Sequence, residues 1–220
     1  MSDLNIEWQA FSPPNMPLLQ TKLPDYIMDY LWERIEQAKA DNIPWGDRLA
    51  GNISSSLLMY DIDNYFLDNI IGPVTERLVN DNPRTFAPSF HESVFEEWDL
   101  KFKMNMWVNF QKQTEFNPVH AHSGCTSFVI WMKIPTDPEE QHNLDLPFKT
   151  DAASDFAFEY TNILGEHQTM TIPMSKEMEG VMAVFPSKLR HSVCPFYSCD
   201  EDRISISGNL LWDISPKNKD

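Results

Sequence analysis

The stretch Phe102-Lys103-Met104-Asn105-Met106-Trp107-Val108-Asn109-Phe110 decides the fold. Apolar side chains fall on every second position, Phe102, Met104, Met106, Val108 and Phe110, with Lys103, Asn105, Trp107 and Asn109 between them. Successive side chains of an extended chain point to opposite faces, so the period of two predicts a strand with one apolar face and one polar-bearing face. Upstream the period is different. Ile27, Tyr30, Leu31 and Ile35 recur at helical spacing behind Pro24-Asp25, predicting an amphipathic helix that ends near Asp41 to Pro44. Tyr65, Phe66, Leu67, Ile70, Ile71, Val74, Leu78 and Val79 predict a second, broken at Gly72-Pro73. Downstream, strands are expected at 126–134, 156–160, 169–174, 181–185 and 203–212, between turns rich in Pro, Asp and Asn. Helices first and unalternated short strands afterwards predict an α+β chain whose strand part is an antiparallel sandwich or jelly-roll barrel. The expected boundaries are an extended, Pro-rich lead-in over 1–20, a helical region over 21–90 that packs on the barrel, and a jelly-roll region over 91–220, all in a single domain.

Composition narrows the partners. Among 220 residues, 17 Lys+Arg stand against 33 Asp+Glu, a net charge of −16 that disfavours binding to a phosphate backbone. No run of apolar residues is long enough to span a bilayer. Met1 to Ala10, with Asp3 and Glu7, lacks the features of a signal peptide, and Cys125, Cys194 and Cys199 form no CxxC pair; a reducing, cytoplasmic setting is expected, with free thiols. Neither a Gly-rich phosphate loop nor a Ser-His-Asp or Cys-His arrangement stands out, which disfavours nucleotide binding and hydrolysis.

The chemistry-bearing residues lie in two short segments. In Asn117-Pro118-Val119-His120-Ala121-His122, extended backbone turns both imidazoles to one face, where they can share a metal ion. His191, just past the apolar run Val181 to Phe185 and Pro186, is the candidate third ligand. In Arg203-Ile204-Ser205-Ile206-Ser207, Arg203, Ser205 and Ser207 share one face, and an Arg with nearby hydroxyls can clamp a carboxylate through a forked pair of hydrogen bonds. His91, His142 and His167 have no partner at ligand spacing and read as surface or structural histidines. The polar block from Pro138 to Phe156 reads as a solvated loop or as a lid over the site.

Taken together, His120-Ala121-His122, Gly180 to Pro186 with His191, and Arg203-Ile204-Ser205 resemble the iron- and 2-oxoglutarate-dependent oxygenase pattern. Trp107-Val108-Asn109-Phe110, Ser127-Phe128-Val129-Ile130-Trp131 and Leu49-Ala50-Gly51-Asn52-Ile53 are similar to a prolyl-hydroxylase-like branch common in viruses of bacteria. The resemblance implies a double-stranded β-helix, Fe(II), 2-oxoglutarate and O₂ as cofactors, and hydroxylation of a C–H bond with succinate and CO₂ as coproducts. It implies Arg203 and Ser205 on the far carboxylate of 2-oxoglutarate, with Asn109 and Trp131 lining that pocket. The expected substrate is a peptide, peptidyl proline included, or a small metabolite, and the expected location is the cytoplasm, a host's if the protein is viral. One position departs from the family: His122 stands where Asp or Glu is usual, so the implied ligand set becomes His120, His122 and His191. Three histidines also suit zinc, and they suit the cupin-like dioxygenases that use no 2-oxoglutarate. A jelly roll that binds metal or serves as a structural module without catalysis is the reading from a different class.

Overall fold

The computed structural model describes residues 18–82, 98–147 and 150–216. In chain order its elements are β1 (Leu19–Lys22), α1 (Asp25–Asp41), β2 (Ser55–Met59), α2 (Gly72–Asp81), β3 (Trp98–Gln111), β4 (Asn117–His120), β5 (Thr126–Lys133), α3 (Pro138–His142), β6 (Phe156–Thr161), β7 (His167–Ile172), β8 (Val181–Pro186), β9 (Arg190–Val193) and β10 (Arg203–Pro216). The strands build two antiparallel sheets, one in the order β1-β8-β5-β10-β3-β2 and one in the order β4-β9-β6-β7. This two-sheet architecture is jelly-roll-like.

The alternation read in 102–110 sets the two faces of the larger sheet. Met106, Val108 and Phe110 of β3, Ile204, Ile206 and Leu210 of β10, and Phe128, Ile130 and Met132 of β5 belong to one buried apolar cluster with Ile27, Leu31, Ile35 and Ala38 of α1. The opposite face carries Trp107, Asn109, Arg203, Ser205, Ser207 and Trp131, and there Val129, Trp131, Val181, Ala183 and Phe185 pack against Phe156 and Phe158 of the smaller sheet. Gly208 matters on the helix-side face: a Cβ there would lie 2.5 Å from the Phe128 ring and 2.7 Å from the Asn105 carbonyl.

Helix α1 ends at Asn42 in the left-handed conformation, φ 48°, whose N–H returns to the Ala38 carbonyl at 2.9 Å. The break at Gly72-Pro73 is present as a wider turn over Leu67–Ile71 that leads into α2. Two strands lie in the part of the chain read as lead-in and mostly helical. β2 lies inside the stretch read as helical over 21–90, and β1 runs from the end of the lead-in into it. Both are too short for a period to register, and both exist because of distant partners: Leu19 to Lys22 pair with Val184 to Val181, and Ser55 to Met59 pair with Phe110 to Met106. Residues 1–17 of the lead-in, and His91, lie outside the described residues.

Candidate active site

β4 and β9 pair so that His120 stands directly opposite His191. His122 lies two residues past β4, in a turn whose His122 N–H donates to the Ser187 carbonyl at 2.8 Å. The three rings converge: one ring nitrogen from each lies within 4.8 Å of the others, and the ring centroids are 4.3 to 5.0 Å apart. His120 Nδ1 is 2.7 Å from the Pro118 carbonyl and His191 Nδ1 is 3.0 Å from the Leu189 carbonyl. A carbonyl only accepts, so in both rings Nδ1 carries the proton and the Nε2 lone pair is left available. Phe156 stacks on His191 at 5.7 Å and 18°, Phe185 meets it edge-on at 4.9 Å, and Trp107 borders His122 at 5.9 Å.

These apolar walls set the charge state. Burial first, and the neighbouring His120 second, push the pKa of His122 down to about 4 and that of His191 to about 3; burial also lowers that of His120. The cluster is therefore three neutral imidazoles near pH 7, the form that ligates metals. Nitrogen donors of this kind suit divalent iron or zinc.

The other end of the same cavity is cationic. Arg203 opens β10 and is 3% exposed. Its Nη2 donates to Ser154 Oγ, the Phe196 ring lies 5.0 Å from its Cζ, and its Nε and Nη1 have no hydrogen-bond partner. Burial lowers its pKa to about 10, against the opposing pull of Asp155 and Cys194, so it stays a cation at neutral pH. Buried polar donors without partners are uncommon in folded proteins, and a guanidinium with two free donors fits a planar carboxylate.

Cross-strand register places the polar residues between these ends. Ser56, Asn109, Ser205 and Trp131 form one row across β2, β3, β10 and β5, and Leu58, Trp107, Ser207 and Val129 form the next. Asn109 Oδ1 accepts from Ser56 Oγ at 2.8 Å, and its Nδ2 faces Ser207 Oγ and Ser205 Oγ at 3.4 and 3.5 Å. Trp131 stands edge-on to Phe156 at 5.6 Å. All seven residues singled out in the sequence, His120, His122, His191, Arg203, Ser205, Asn109 and Trp131, line one cavity.

Other contributors carry no hydrophobic period, and Leu49 to Ile53 are singled out only through the resemblance. Leu49, Ala50, Gly51 and Ile53 line the cavity, although their stretch carries no periodicity. Ser154 follows no motif, and it meets Arg203 from a stretch held to the segment before β10, with the Ser154 N–H 2.8 Å from the Pro195 carbonyl. His142 has a definite partner, with its Nε2 3.0 Å from buried Asp155 Oδ1, whereas exposed His167 is 3.6 Å from Glu159. The described part of the Pro138 to Phe156 block includes helix α3, which Gln141 ties to the Tyr197 backbone by two 2.8 Å hydrogen bonds, while residues 148–149 lie outside the described residues. Among the described residues no helix is long and apolar enough to cross a membrane.

The donor set fits a divalent ion at the histidines and a carboxylate at Arg203. Residues 105–209 match the family model described as "Putative 2OG-Fe(II) oxygenase". The chain is similar to the crystal structure of a Pseudomonas putida prolyl-4-hydroxylase, at 14% identity and a TM-score of 0.51, covering 89% of this chain and 92% of that one. It is also similar to an oxidoreductase of the 2OG-Fe(II) oxygenase family from Burkholderia pseudomallei, at 12% identity and a TM-score of 0.43, over 87% and 85% of the two chains. No curated protein matches.

Proposed function

We propose, from the match of residues 105–209 to the putative 2OG-Fe(II) oxygenase model, that this chain is one of these oxygenases, with Fe(II), 2-oxoglutarate and O₂ as cofactors, and that it hydroxylates a C–H bond with succinate and CO₂ as coproducts. His120, His122 and His191 hold the metal, each through a neutral imidazole. When bound, Fe(II) supplies the activation of O₂ that oxidative decarboxylation of the keto acid drives. Arg203 holds the far carboxylate of 2-oxoglutarate through the donors that lack a protein partner, and Ser205 offers a hydroxyl from the next position on the same strand face. Asn109 and Trp131 set the width of the channel between the two ends: the amide is pinned by Ser56, and the indole is braced by Phe156. Phe156 and Phe185 keep water from the rear of His191.

The observation that carries this reading is the buried Arg203, whose Nε and Nη1 lack hydrogen-bond partners, in the same cavity as three converging imidazoles. The substrate is a peptide side chain, with peptidyl proline first, or a small metabolite, since the acidic chain disfavours nucleic acid. Anaerobic titration with Fe(II) and then 2-oxoglutarate is the test. A weak visible charge-transfer band, absent in Arg203→Met at matched concentrations, is expected. Bound iron without the band at any keto-acid concentration overturns keto-acid chelation. It favours instead a three-histidine dioxygenase that takes a carboxylate substrate directly at Arg203, a reading that His122, standing where a carboxylate is usual, keeps open.

A further inference from the structure

Arg203 is buried in a cavity whose described lining contains no carboxylate, yet a buried cation needs an opposing charge. Behind Ser154, outside that lining, lies Asp155, 1% exposed and fixed on every side. Its N–H donates to the Ala152 carbonyl at 3.1 Å, its carbonyl accepts from Cys194 N–H at 2.8 Å, and its Oδ1 meets His142 Nε2 at 3.0 Å. Ser154, in the left-handed region at φ 74°, hands its Oγ to Arg203 and shares it with Thr136 Oγ1 at 2.9 Å. One dipeptide thus gives Arg203 its hydrogen-bond acceptor and, without a direct ion pair, an opposing charge that acts on it through the buried interior. The charged and titratable groups that act on Asp155 are His142 from α3, Arg203 from β10, and Asp151 from its own loop.

We propose that Asp155 is the resident counter-ion of Arg203, a positioning residue that steadies the guanidinium in the empty cavity and competes with the ligand carboxylate once that arrives. The proposal rests on the reading that Arg203 binds 2-oxoglutarate, and it adds a second anion to that end of the site. His142 moderates the competition by donating to Asp155 Oδ1. Two opposite consequences follow from one charge. Without ligand, Asp155 offsets the cost of burying Arg203. With ligand, it weakens the pull of Arg203 on the incoming carboxylate.

The test is Asp155→Asn in the full chain, an isosteric change that keeps an acceptor for His142 and deletes the charge. Thermal unfolding of the ligand-free protein and calorimetric titration with 2-oxoglutarate, in the presence of Zn(II), are read side by side. The expected result is a lower unfolding temperature together with 2-oxoglutarate binding about 3- to 10-fold tighter than wild type. A residue that merely supports the fold would lower both stability and affinity, so the opposed signs are the signature. Asp155→Ser is the second variant, should the amide not be accommodated, and Asp155→Glu is expected to return affinity toward wild type. Unchanged or weakened binding in both charge-deleting variants overturns the proposal. Failure of the underlying reading looks different: wild type would bind no 2-oxoglutarate, or Arg203→Met would bind it as wild type does.

Discussion

The two faces of the larger sheet are built from the same strands and differ by one residue of phase. On β3 and β10 the helix-side residues Met106, Val108, Ile204 and Ile206 are buried among apolar neighbours and the α1 side chains. Their immediate neighbours Trp107, Asn109, Arg203 and Ser205 line the cavity. The helix side is held by area removed from water and tolerates any well-fitting apolar side chain. The cavity side holds buried polar groups whose partners are few, one of them a cation with free donors. Stability resides on one face and chemistry on the other, so substitutions on the two faces should separate in measurement.

The largest effect expected is at the smaller sheet's contribution to the cavity. His191→Ala removes a ligand and should weaken Fe(II) or Zn(II) binding by about 100-fold or more while leaving far-UV circular dichroism unchanged; retained metal affinity would break the assignment of the cluster. Next comes the helix-side face. Ile206→Ala, at a fully buried position, should cost about 2–5 kcal/mol in chemical denaturation and leave the metal affinity of the folded fraction as it was. One residue of phase away, Arg203→Met should weaken 2-oxoglutarate binding by about 100-fold and leave metal binding alone; an equal loss of both would mean that the strand face is structural. A further separation of the two faces is a pH dependence of the metal-free protein. Unfolded histidines take up protons near pH 6.5. Folded His122 and His191 do so only at about 4 and about 3. The unfolded state therefore binds more protons below pH 6.5, and stability should fall as pH drops from 6.5 toward 4 and on to 3, by up to about 1.4 kcal/mol per unit for each ring. Denaturation midpoints measured at pH 7, 6 and 5 check this, and a flat profile would mean hydrated rings.

What could be read from the chain follows the same divide. A period of two in 102–110 and 203–207 is a local property, so both faces of β3 and β10, and with them Asn109, Arg203 and Ser205, are legible one residue at a time. The pair His120 and His122 is legible for the same reason, and His191 is legible from the apolar run and Pro-turn that precede it. Whatever depends on meeting a distant segment is not legible. β2 is a strand because β3 lies beside it, and Ser154 matters because it arrives at Arg203, 49 positions along the chain. Leu49, Ala50, Gly51 and Ile53 are marked only by the resemblance, and they reach the cavity where Asn52 bridges to Phe116, with its N–H 2.8 Å from the Phe116 carbonyl. A local pattern carries no record of such encounters. His142 illustrates the point from the other side, because its neighbours in sequence give no hint of the buried aspartate that it meets.

The hydrogen bonds from His120 and His191 to carbonyls two residues behind them reach beyond the choice of tautomer. Each ring is tethered by its own strand, so its rotational entropy is surrendered when the barrel folds and not when an ion arrives. Two of the three rings are thus set in place ahead of any ion, which favours rapid loading over selection among divalent ions by shape.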